Sequence, residues 1–122
     1  MTRKTAEELF TYRAPDSVTK HRHDAINHAA ASLKTIIDAV AFEPIGFDEV
    51  NACCTALYSA IEENCPPSPD MSAALRCVRL CRNGLNDFIV NRDMRCIEFA
   101  HQQLLSARYN ANGGVAIYCE KP

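Results

Sequence analysis

The stretch SPDMSAALRCVRLCRNGLNDFIV, residues 68–90, has the start signal and the periodicity of one amphipathic helix. Ser68 can cap a helix, and Pro69 suits the first helical position because no N–H is needed there. Gly84 inside the helix costs about 1 kcal/mol relative to alanine, unless another backbone needs to come close there. The apolar positions, three or four residues apart, are Met71, Leu75, Val78, Cys81, Leu85, Phe88 and Ile89. We therefore predict a helix over about 69–90.

The same periodicity predicts three further helices, at about 17–41, 48–63 and 92–112. The breaks FEPIGF, NCPPSPD and NGG separate or end them, through proline and glycine. The positions expected to face a core are Ile26, Ala29, Ala30, Leu33, Ile36, Ile37 and Val40, then Phe47, Val50, Cys54, Leu57 and Ile61, then Ile97, Ala100, Leu104, Ala107 and Ala111. For this 122-residue chain we predict one all-α domain, a small bundle of about four helices built from two helical hairpins.

The charge is small overall but unevenly distributed. The formal net charge is −2, which favours neither nucleic acid nor an acidic membrane as a partner. Five acids and no Lys or Arg lie between residues 43 and 63, whereas six arginines lie between residues 76 and 108. Arg76, Arg79 and Arg82 drift around their helix by about 60° per step, so we expect a broad solvated face and no DNA-reading edge. Those arginines can still face a small anion in an oligomer.

The sequence predicts a cytoplasmic protein. No segment approaches the roughly 20 apolar residues of a membrane span, and MTRKTAEELF lacks the apolar part of a secretory signal. Seven cysteines are most simply interpreted as free thiols in a reducing compartment.

Metal binding and catalysis have little support in the sequence. There is no C-x-x-C or H-x-x-x-H pair, and Cys77 and Cys81 lie on or beside an apolar helical stripe, so we expect core thiols and no metal. No cysteine is framed as a nucleophile, Glu62 and Glu63 are adjacent and point to different sides, and no phosphate-binding glycine loop is present. We expect a protein that is not an enzyme and carries no cofactor.

The segment before the first helix suggests a binding site. Lys20, His21, Arg22 and His23 add positive charge to a helix start, and Tyr12 offers an aromatic face just before them. A ring beside a cationic pocket suits a nucleotide, whose base stacks while its phosphates meet the cations. The alternative is that Phe10 and Tyr12 only hold the lead segment against the bundle while the basic side chains are solvated.

Three stretches together resemble a known family: FTYRAPD at 10–16, HDAINHAAASLKTIID at 23–38 and NRDMRCIEFAHQQLLSARYNANGGVA at 91–116. They are similar to the motifs of the helical-hairpin sponge family of phage anti-defence proteins, which counter the bacterial CBASS and Thoeris systems. The resemblance implies a compact helical protomer in a symmetric oligomer, typically a hexamer. It also implies two classes of pocket, one for cyclic dinucleotides such as cGAMP and one for cyclic trinucleotides.

The chain departs from the family pattern in its middle. The usual family hairpin is shorter, so residues 43–90 look like an inserted helix pair between helix one, residues 16–42, and the closing helix, residues 91–114. A lead segment, residues 1–15, and a tail, residues 115–122, complete the division. Asn27 stands where the family has Arg, Asp93 replaces Glu, and ANGG replaces ANA.

The resemblance also implies roles for residues of the first two stretches. Tyr12 matches the motif tyrosine that stacks on a base, and Arg13 follows it within reach of a phosphate. His23 opens the second motif, and Asn27 or His28 occupies the helix-one position that lines the dinucleotide pocket.

In the closing motif, Arg92 matches the arginine expected to contact phosphate in the trinucleotide pocket. Arg108 and Asn112 lie further along the same motif. Asn112 is open to a second interpretation, in which it satisfies backbone groups at a helix end.

The resulting hypothesis is a cytosolic homo-oligomer, possessing no DNA or membrane partner, that sequesters cyclic di- or trinucleotides without cleaving them in the infected bacterium. Two alternatives remain open at this stage. One is a helical protein–protein interaction module with no nucleotide ligand, and the other is a phosphodiesterase that cleaves the same messengers.

Overall fold

The computed structural model describes the backbone of residues 17–112 and the side chains of residues 24–112. Within this range the chain forms four α-helices and no strand: α1 (Ser17–Ala39), α2 (Phe47–Asn64), α3 (Pro69–Asn91) and α4 (Met94–Ala111). The helices predicted from periodicity are confirmed, with ends that differ by about two residues at most. The predicted lead segment, the two glycines of NGG and the tail lie outside the described residues.

The four helices pack in a ring. Each contacts its neighbour in sequence, α3 and α4 most extensively, and a smaller contact between α1 and α4 closes the ring. Hydrogen bonds join Asn86 to Asn51 and Arg79 to Tyr58, so α2 and α3 run antiparallel. Short connections between successive helices are typical of up-and-down bundles. The predicted all-α bundle is therefore confirmed for the protomer.

All four helices contribute to one apolar core, as the spacing predicted. Its buried residues are Ile26, Ala29, Ala30, Leu33, Ile37, Val40, Val50, Cys54, Leu57, Ile61, Ala74, Leu75, Val78, Cys81, Leu85, Phe88, Ala100, Leu104 and Ala107. Phe47 was predicted to join this core and does not, because its side chain is 46% exposed. It is the first residue of α2, where the helix leaves the end of the bundle.

The helix caps follow the sequence signals. The Ser68 hydroxyl accepts a hydrogen bond from the Met71 N–H at 3.1 Å, and Pro69 occupies the first helical position of α3. The Asp93 carboxylate caps α4 by accepting from the Arg95 N–H at 3.0 Å. None of the four described helices combines the length and the apolarity needed to cross a lipid bilayer.

Candidate functional site

One polar contact joins the two ends of the chain. Nη2 of Arg108 on α4 donates to Oδ1 of Asn27 on α1 across 3.4 Å, between residues 81 positions apart. Both side chains are half-buried, and His28, the next residue along α1 after Asn27, is exposed. This pair lies where α1 and α4 meet. That contact is the smallest of those that form the ring. The structure thus brings together Asn27 and Arg108, two of the residues proposed for ligand binding.

Asn112 closes α4 at the same end of that helix. Its side-chain Nδ2 donates to the carbonyl oxygen of Arg108 at 2.6 Å, and its backbone N–H also points at that oxygen. The side chain of Asn112 therefore satisfies a backbone group at the helix end, as its second interpretation proposed. A ligand contact by Asn112 stays a prediction.

Arg92 lies in the turn between α3 and α4, far from this pair. It was expected to begin the closing helix, but α4 begins at Met94, and Arg92 has the left-handed backbone conformation, with φ 58°. Its guanidinium carbon is 4.4 Å from the centre of the Phe88 ring, and Nη2 donates to the Ala41 carbonyl at 3.4 Å. Arg108 lies sixteen residues after Arg92, a separation that corresponds to a rise of about 24 Å along a helix.

The predicted site residues thus separate into two groups at opposite ends of the bundle. Asn27, His28, Arg108 and Asn112 form one group, and Arg92 belongs to the other. Tyr12, Arg13 and the side chain of His23 lie outside the described residues, so their roles stay predictions.

A groove between α2 and α3 was not predicted as a site. It encloses about 210 Å³ and is lined by Cys54, Thr55, Tyr58, Val78, Arg79 and Arg82. Nη1 of Arg79 donates to the Tyr58 hydroxyl at 3.4 Å, and its guanidinium carbon is 6.0 Å from the centre of that ring. The regular spacing of the arginines on α3 was visible in the sequence, but their nearness to Tyr58 depends on how α2 and α3 pack.

Two thiols meet at the floor of this groove. The Cys81 thiol donates a hydrogen bond to Cys54. This hydrogen bond, and to a smaller extent burial, raise the pKa of Cys81. The same hydrogen bond, helped by the positive charge of Arg82, lowers the pKa of Cys54 against the opposing effect of burial. All six described cysteines are free thiols, and no three His, Cys, Asp or Glu side chains cluster for a metal ion in the described range.

Large apolar side chains surround the turns at the Arg92 end of the bundle. We call this set the end patch: Phe42, Phe47, Val90 and Met94, which are 85%, 46%, 74% and 57% exposed. The hydrogen bond from Arg92 to Ala41 shows that the turn after α1 and the turn after α3 are adjacent. The end patch is the kind of surface that partner proteins or further copies of a chain cover.

In the described residues, the fold is a small four-helix bundle, with isolated polar contacts between neighbouring helices at Asn27–Arg108, Asn51–Asn86 and Tyr58–Arg79. Comparisons with protein-family models, with curated proteins and with solved structures found no match to this chain.

Proposed function

We propose that this protein binds cyclic oligonucleotide second messengers, holds them intact in pockets shared between copies of the chain, and so blocks CBASS-type immune signalling during phage infection. The single observation that supports this most is the hydrogen bond between Arg108 and Asn27. It joins two of the three stretches that resemble the sponge family, the second and the third, although they are far apart in sequence. A half-buried arginine is also suited to an anionic ligand, because its guanidinium donates strong hydrogen bonds to a phosphate.

Arg108 can exchange its hydrogen bond to Asn27 for one to a phosphate. At 3.4 Å the hydrogen bond is longer than a typical N–H···O bond, and a neutral amide is a weaker acceptor for a guanidinium than a phosphate is. In this proposal Arg108 holds a phosphate, Asn27 and His28 line the pocket, and Tyr12 with Arg13 covers it from the lead segment. Tyr12 lies five positions before the start of α1 at Ser17, a reach of roughly 17 Å when extended.

Assembly supplies the remainder of the pocket. A cyclic dinucleotide has two bases and two phosphates, and a two-fold interface presents each binding residue twice, which matches that ligand. Exposed apolar residues on α4 are available for such an interface: Phe99, Leu105 and Tyr109, which are 43%, 45% and 50% exposed. Nanomolar binding requires about −12 kcal/mol, and two stacked bases and two arginine–phosphate contacts are a sufficient source when the pocket is preformed.

Ligand retention tests the proposal. The purified protein is mixed with a panel of cyclic di- and trinucleotides, separated from free ligand, denatured by heat, and the released ligand is identified by mass spectrometry. We expect intact ligand, together with an oligomer in analytical ultracentrifugation. Linear product would instead identify a phosphodiesterase.

Two variants test the site. Tyr12→Ala and Arg108→Ala should each weaken dinucleotide retention at least tenfold while circular dichroism shows unchanged helicity. Arg76→Ala, which removes an exposed arginine of α3, is the matched control and should retain ligand like the wild type. Retention that survives both site substitutions would contradict the site assignment.

The second candidate is a protein–protein interaction module, and the end patch is the observation that favours it. Its four exposed apolar side chains lie in or beside two adjacent turns and are suited to a partner protein. Failure of every cyclic nucleotide to bind, combined with a monomer in ultracentrifugation, would favour this function over the first.

A further inference from the structure

The groove between α2 and α3 contains two arginines whose charge is not balanced locally. Among the described residues, ion pairs join Lys34 to Asp38 and Arg95 to Asp93, and none involves Arg79 or Arg82. The hydrogen bonds of these two arginines go to neutral acceptors, the Tyr58 hydroxyl and the Asn83 side-chain oxygen, both at 3.4 Å. Two guanidinium groups on one wall of a groove, with only long hydrogen bonds to neutral groups, are suited to a doubly charged anion.

The rest of the groove is suited to an aromatic ring. Tyr58 contributes a half-buried ring, and Val78 and Cys54 contribute a buried apolar floor. The enclosed volume is about 210 Å³, whereas an apolar cavity of about 150 Å³ accepts benzene. The groove therefore has room for one ring and an anionic group between its walls.

We propose that this groove binds a small phosphate monoester carrying one aromatic ring, with the ring against Tyr58 and Val78 and the phosphate between Arg79 and Arg82. A phosphate monoester loses its second proton near pH 6, so at neutral pH it carries close to two negative charges, which match the two guanidinium groups. Arg79 is already held toward the groove by its contacts with Tyr58. This site lies on the two middle helices and does not depend on the proposed pocket at the Arg108–Asn27 contact.

Calorimetry with three simple probes tests the ligand class. Phenyl phosphate should bind the full chain at least tenfold more tightly than either inorganic phosphate or phenol, because only it uses both halves of the groove. Its affinity should fall several-fold between pH 7.5 and pH 5 as the phosphate takes up a proton. Equal affinity for inorganic phosphate, or no heat with phenyl phosphate at millimolar concentration, would overturn the proposal.

Variants locate the site. Arg82→Ala should weaken phenyl phosphate binding at least tenfold, and Arg76→Ala, an exposed arginine of the same helix outside the groove, should not change it. Tyr58→Leu should weaken phenyl phosphate while leaving inorganic phosphate unchanged. Circular dichroism establishes that each variant is folded, and amide chemical shifts of the wild type at Thr55 and Val78 report occupancy directly. Equal losses in the Arg76 and Arg82 variants, or shifts confined to other helices, would reject this location.

Discussion

Arg92 shows how one side chain can stabilise a turn while its own backbone is strained. It has a positive φ, a conformation that costs a residue with a β-carbon roughly 1 kcal/mol or more. Its guanidinium stacks on Phe88 and donates to the carbonyl of Ala41, which ties the turn between α3 and α4 to the end of α1. These two contacts offset the strain.

Replacing Arg92 separates the two effects. Arg92→Ala removes both contacts and keeps the strain, so we expect a loss of about 1 kcal/mol in the free energy of unfolding. Arg92→Gly removes the contacts but also the strain, so its loss should be smaller. Urea denaturation of the two variants measures the difference. A glycine variant less stable than the alanine variant would contradict this account.

Asp93, the cap of α4, makes a different contribution that depends on pH. Hydrogen bonds from the Arg95 side chain, and then from its backbone N–H, lower the pKa of this carboxyl from 3.8 to about 2. A lowered pKa means that the stabilisation is complete above the unfolded-state value and is lost as the pH falls toward the folded-state value.

Asp93→Asn keeps a capping oxygen but removes the titration. The melting temperature of the wild type should therefore fall further than that of this variant between about pH 4 and about pH 2. Thermal melts followed by circular dichroism at both pH values provide the comparison. Equal losses in the two proteins would show that the carboxylate of Asp93 does not contribute.

At the scale of the helices, the closest packing is between α3 and α4, and Gly84 permits it. A β-carbon at this position would lie 3.0 Å from Cδ2 of Phe99 and 3.1 Å from the carbonyl oxygen of Cys96. The phenylalanine ring can move, but the backbone carbonyl belongs to α4 itself. The sequence left open whether another backbone comes close to this glycine, and the structure places the α4 backbone there.

Gly84→Ala should consequently destabilise the protein by about 1 kcal/mol, because the crowding exceeds the gain in helix propensity. Asn83→Ala, on the exposed side of the same helix, is the matched control and should be neutral or slightly stabilising. Chemical denaturation of both variants gives the comparison. A more stable Gly84→Ala protein would mean that α4 can shift to accept the methyl group.

At the scale of the molecule, α2 and α3 form half of the ring and supply much of its core. Leu57, Ile61 and Leu85 are fully buried, whereas α1 and α4 share only a small mutual contact. Physically, this argues that residues 43–90 are needed for the protomer to fold. The interpretation of those residues as an inserted pair stays a prediction.

Deleting residues 43–90, with a short glycine–serine linker in their place, tests that dependence. The buried faces of α1 and α4 lose most of their partners, so we expect a monomer without cooperative unfolding. Circular dichroism and ultracentrifugation are the measurements. A shortened chain that folds cooperatively as a monomer would contradict this expectation, and one that folds only as an oligomer would support the resemblance to a shorter family hairpin.

Local chemistry accounts for what could be read directly from the residues. The four helices, the cap at Ser68 and nearly all of the buried positions follow from a period of 3.6 residues and from the needs of free N–H groups. Gly84 was recognisable as an unusual residue inside a helix, but whether another backbone approaches it was left open. Each of these depends on neighbours within a few residues, which a single sequence contains.

Other features required the packed molecule. The contact of Arg108 with Asn27, the reach of Arg92 to Ala41, the exposure of Phe47 and the groove beside Tyr58 all depend on which helices become neighbours. Periodicity shows which side of a helix is buried but does not identify the helix against which it packs. That choice depends on the summed packing of the whole core, so residues distant in the chain meet only once the bundle has formed.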